Sequence, residues 1–62
     1  MTKHLLTVRE VAELLAIREG TVRLWLAQRR LPKVKLGRAV RVPADAVERF
    51  VHENTIPSRS SK

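Results

Sequence analysis

Two prolines, Pro32 and Pro43, bracket the stretch KVKLGRAVRV, in which basic and apolar residues alternate along nearly its whole length. A helix neither continues through Pro32, which lacks a backbone donor and clashes with the preceding turn, nor shows a period of two. The chain is thereby cut into three parts: a segment before Pro32, an extended pair of short strands between the prolines, and a segment opening at Pro43, a residue accepted where helices start. With 62 residues in all, each part holds only one or two short elements, and a single small core must serve them together. There is no cysteine and there are only two histidines, His4 and His52, so neither a disulfide framework nor a Cys/His zinc site is expected to staple the fold.

The first part opens with LLTVREVAELLA. Thr7 and Glu10, three residues apart, form a capping box in which each side chain satisfies a backbone donor at the helix start. A helix is therefore expected from about Val8, with Leu6 and Val11 spaced for a hydrophobic staple. Val8, Val11, Ala12 and Leu15 recur at the spacing of one helical face, Leu14 lies on its shoulder, and Arg9, Glu10 and Glu13 point to water.

A second helical stripe follows after a join around Ile17 to Gly20. Val22, Trp25 and Leu26 form its apolar side, and RRLP closes it. Two short helices joined so tightly read as a helix-turn-helix. The outward face of the second helix centres on Leu24, with Gly20, Ala27 and Gln28 around it and Thr21 and Arg23 at its edges. That face is the one expected to lie in a major groove.

Between the prolines, Val34, Leu36, Val40 and Val42 are expected to share the core face of a hairpin. Opposed residues share a face, so Leu36 should sit opposite Val40 and Val34 opposite Val42. This requires a three-residue connection, Gly37-Arg38-Ala39; a two-residue Gly-Arg turn would pair Leu36 with Ala39 and mix valine with lysine. Lys35 and Arg41 then stand together on the solvent face, with Lys33 beyond them and Arg38 at the tip. Like charges so placed repel unless phosphates lie between them.

The last helix carries the stripe Val47, Phe50, Val51 and ends near His52 to Asn54. Residues 1 to 54 are read as one domain. The remainder, 55 to 62, is polar, serine-rich and interrupted by Pro57, and is expected to be a disordered tail. The expected core comprises Val11, Leu15, Val22, Trp25, Leu26, Leu36, Val40, Val47 and Phe50. No apolar run approaches the roughly 20 residues of a membrane span, and MTKHLLT lacks the apolar stretch of a signal peptide. A cytoplasmic protein without membrane partners is expected.

The formal net charge is +7, and all of it lies in one segment. Residues 18 to 41 carry eight bases and one acid, Glu19, while the rest of the chain holds five of each. Charge segregated in this way is the footprint of a polyanion binder. Trp25 is read as core rather than a base-stacking platform, the two histidines as solvated, and Glu10 as a cap rather than a general acid. No nucleophile, base and carboxylate fall at a spacing that suggests catalysis, so no enzyme activity, cofactor or small-molecule substrate is expected. Arg30 is a candidate for phosphate contact; Arg29 is placed on the packed side, snorkelling. Leu24 is suited to a thymine methyl, Arg23 to a guanine or a phosphate, and Glu19 to a cytosine amino group or simply to the helix start.

The succession LLTVREVAELLAI, TVRLWL and RRLPKVKLGRAVRVPADAVERF resembles the excisionase-type, MerR-like winged-helix domains, over about residues 5 to 51. The resemblance implies a mainly α, α+β winged helix-turn-helix: two N-terminal helices, a two-stranded β-hairpin wing and a C-terminal helix. It implies that the second helix enters the major groove and that the wing contacts the adjacent minor groove or backbone. Thr21 and Arg23 match recognition-helix positions, Lys35, Arg38 and Arg41 match wing positions, and Trp25 matches the core aromatic. Arg18 departs from the usual serine or threonine cap, Glu19 and Gly20 from frequent bases, Leu24 from a polar residue, and Ala39 from a larger wing residue.

These readings lead to a sequence-specific binder of double-stranded DNA. The biology the resemblance favours is an excisionase that binds beside further copies of itself, bends attachment-site DNA and biases a tyrosine integrase towards excision, in the nucleoid of a bacterial or phage-infected cell. The alternatives are a small transcriptional regulator of a mobile element and, from another class, a protein-interaction adaptor docking an acidic partner. An RNA binder fits less well, because the hairpin offers no exposed aromatic to stack on splayed bases.

Overall fold

Thr7 is held in extended conformation and its hydroxyl accepts from the Glu10 amide at 3.0 Å, while the Glu10 carboxylate accepts from the Thr7 amide at 2.9 Å. This capping box starts helix α1, Val8–Leu15, where the sequence places it. The computed structural model describes residues 4–57; around α1 it arranges β1 (Leu5–Leu6), α2 (Glu19–Ala27), β2 (Val34–Leu36), β3 (Ala39–Pro43) and α3 (Ala44–Glu53). This is an α+β winged helix-turn-helix. The expected tail falls largely on residues 58–62, outside the described residues, and 55–57 carry neither helix nor strand.

Both N-terminal helices stop by the same device, and neither stop uses glycine. Ala16 adopts φ 58° and Arg29 φ 61°. After α1, the amides of Ala16 and Ile17 donate to the carbonyls of Glu13 and Ala12; after α2, those of Arg29 and Arg30 donate to Leu26 and Trp25. These paired bonds make Schellman turns, which reverse the chain and satisfy carbonyls that the helix leaves open. Helix α2 thus ends at Ala27, well before Pro32. The turned-back chain then buries Leu31, 2 % exposed, as a core residue that the periodicity does not reveal.

The core is Val11 and Ala12 from α1, Val22 and Leu26 from α2, Leu31, Val42 from β3 and Val47 from α3. Leu15, Trp25, Val40 and Phe50, expected in the core, are half-buried and packed against it, as are Leu6, Val8 and Ile17. Trp25 and Phe50 meet with ring centroids 4.9 Å apart and planes at 43°, tying α2 to α3. Pro43 ends β3 and caps α3 in one step.

The hairpin departs from expectation. Its partners are Leu36 with Ala39, Lys35 with Val40 and Val34 with Arg41, so the turn is two residues, Gly37-Arg38. Gly37 has φ +63° and is the one turn residue with positive φ, the pattern of a type II′ turn, whose twist suits a hairpin. Leu36 is consequently not a core residue but 53 % exposed. Val34 faces away from Val42, and Lys35 and Arg41 lie on opposite faces rather than together. The physical reason is the sheet order β1-β3-β2. A third strand, β1, pairs Leu5 with Pro43 and Leu6 with Val42, so β3 is central and buries Val42, while β2 is an edge with no buried residue. An edge strand that contributes nothing to the core has no burial penalty to fix its register, and the turn fixes it instead.

Candidate nucleic-acid interface

Helix α2 leaves one face uncovered: Gly20, Arg23, Leu24, Ala27 and Gln28 are exposed, at successive intervals of three, one, three and one residues. Thr21 and Glu19 flank it, half-buried, and Val22 and Leu26 fix the opposite side in the core. Leu24, 53 % exposed, stands at the centre as expected. The helix begins at Arg18, in extended conformation, with no side-chain cap; the Thr21 and Val22 amides close on the Arg18 carbonyl. Gly20 is not required by packing, because a Cβ there would meet nothing within 4 Å. Its lack of a side chain leaves the outer side of the first turn of α2 open.

Arg23 Nη1 donates to Glu19 Oε1 at 3.3 Å, one helical turn back, and both side chains remain substantially exposed. A surface pair of this kind is weak and exchanges readily for a stronger acceptor. Glu19 therefore orients Arg23 without locking it away.

Beside this face runs an open groove of about 570 Å³ between the start of α1, the flank of α2 and the hairpin. Arg23, Lys33, Arg38 and Arg41, all singled out in the sequence, line it together with Glu19. Arg9 lines it as well; the sequence places Arg9 simply in water, because nothing in its own helix shows that the hairpin will rise opposite. Its partner Glu13 is 3.9 Å away, with both side chains largely exposed. Five cations thus face one acid across a groove, and a phosphodiester strand is the kind of polyanion that such a trough accepts. Arg41 is steadied by a bond from its Nη1 to the Val40 carbonyl at 2.9 Å.

Other sequence candidates are placed elsewhere. Lys35 is exposed but does not line the groove, and neither does Arg30. The guanidinium carbon of Arg30 lies 5.7 Å from the ring centroids of both Trp25 and Phe50. The Schellman turn brings Arg30 back over Trp25, so a cation–π contact replaces the apolar contact usual in that motif. Arg29, expected on the packed side, is exposed. Trp25 was the available signal for Arg30, but only the turn geometry joins the two. Among the described residues no group of His, Asp or Glu is arranged to hold a metal ion, and no helix is long and apolar enough to cross a membrane.

A comparison with family models matches residues 5–55 to the helix-turn-helix domain. The chain belongs to this helix-turn-helix family. Neither curated proteins nor solved structures give a significant match. The matched span of the helix-turn-helix domain runs from β1 to just past α3, and so takes in both the outward face of α2 and the groove. It is a DNA-binding domain, and its exposed helix is the element that such folds present to the major groove.

Proposed function

We propose that this helix-turn-helix domain is an excisionase-type architectural protein, which binds specific duplex sites beside further copies of itself, bends the DNA and favours excision by a tyrosine integrase. The family is one found in excisionase-like proteins. The observation that carries the reading is the groove: an outward-facing helix and a hairpin set on either side of one cationic trough, a surface suited to contact with a phosphodiester backbone. In this reading Gly20, Thr21, Arg23, Leu24 and Gln28 meet base edges. Arg18 meets the backbone at the helix start, and Lys33, Lys35, Arg38 and Arg41 grip phosphates from the wing. Arg9 adds a phosphate contact from α1. Arg30 is a positioning residue for α2.

Selection of sites from a random duplex pool, followed by footprinting, tests the reading. Direct repeats filled cooperatively and bent by the protein are the expected result. Inverted repeats bound by two protomers would point to a transcriptional regulator, and absence of enrichment to a protein adaptor. On the selected site, Arg38→Ala and Arg9→Ala should each lower the slope of log affinity against log salt by about one per lost phosphate contact. An unchanged slope would remove that residue from the interface. Arg30→Ala should leave the slope as it is.

A further inference from the structure

We infer that Leu36 is an apolar wedge that enters a minor-groove base step and helps to kink the duplex. This rests on the DNA reading above and adds to it a residue and a mode of contact.

Leu36 is the last residue of β2, immediately before the Gly37-Arg38 turn, and is 53 % exposed. Its cross-strand partner is Ala39, too small a side chain to cover it. A lone exposed leucine is ordinary, but this one stands at the tip of a hairpin, between the exposed cations Lys35 and Arg38. Leu36 does not line the cationic groove, whereas Arg38 does. The position of the groove decides where the tip lies. With the outward face of α2 in the major groove and one phosphodiester strand held in the trough, the element on the far side of that strand faces the minor groove. There, cations are attracted by the negative potential, and an apolar side chain has base steps to part. Leucine is among the residues that act in this way, unstacking a step and bending the DNA towards the major groove. The register supports the arrangement: a slip to the three-residue loop would turn Leu36 into the core and leave the tip purely polar.

The test uses the full chain and a selected duplex carrying 2-aminopurine at successive minor-groove steps beside the wing, with the bend read by energy transfer between the duplex ends. Wild type and Leu36→Met should raise 2-aminopurine fluorescence at one step. Leu36→Ala should abolish that rise, reduce the bend by about 20° or more and weaken binding roughly tenfold, with its melting temperature unchanged. Equal fluorescence and bend for wild type and Leu36→Ala would overturn the proposal. Loss only of cooperative filling of adjacent sites, with the single-site bend intact, would overturn it in favour of a contact between copies. Failure of the wild type to bind any selected duplex would instead overturn the DNA reading, and the wedge with it.

Discussion

Strands β2 and β3 carry similar alternations of base and apolar residue, yet they behave differently. In β3, Val42 is fully buried and Val40 packs on the core; in β2, Val34 is half-buried and both Lys35 and Leu36 are exposed. The central strand has neighbours on both sides, Leu6 of β1 and the edge strand β2, and its pattern is enforced by water exclusion. The edge strand is held by its turn and its ladder, so its pattern is left free for surface use. Alternation therefore sets register only where one face is buried.

The widest expected difference comes at the ends of the edge strand. Leu31, anchored in the core just before β2, should cost about 3 kcal/mol on replacement by alanine. Leu36→Ala should cost less than about 0.5 kcal/mol. Urea unfolding measures both, and similar values would mean that the edge strand is buried after all. Between these extremes, Val42→Ala should cost about 2 kcal/mol and Val34→Ala clearly less, which sharpens the contrast residue by residue.

The turn is the next lever. Gly37→Ala places a Cβ at φ +63° and should cost about 1 to 2 kcal/mol. If it costs nothing, the turn does not decide the register. The one expected gain is at the other helix stop: Ala16→Gly relieves a left-handed alanine and should raise stability by up to about 1 kcal/mol. A loss on that substitution would show that the Schellman turn after α1 is not strained.

Much of the helical half was legible in the residues. The Thr7–Glu10 box gave the start of α1, the Val22, Trp25, Leu26 stripe gave the orientation of α2, and the remaining face of α2 followed by subtraction. That subtraction places Leu24 and Gly20 outward, where the fold has them. The stop of α2 was not legible, because Arg29 occupies a left-handed position that sequence normally marks with glycine. With that turn went the burial of Leu31 and the docking of Arg30 on Trp25 and Phe50. Strand β1 is not legible, because two leucines are too few to show a period. The place of Arg9 in the groove is not legible, because the hairpin cations opposite it, Arg38 and Arg41, are about thirty residues away in the chain.

What the sequence determined by itself was local: caps, the faces of helices, the breaks at Pro32 and Pro43, and the concentration of charge between residues 18 and 41. These depend on interactions within a few residues or on simple counts. What the tertiary structure decided was which strand is central, how the hairpin is registered, and which cations share a groove. Each of those depends on what packs against what, and two candidate registers of KVKLGRAVRV are separated only once β1 takes the other side of β3 and leaves β2 at the edge.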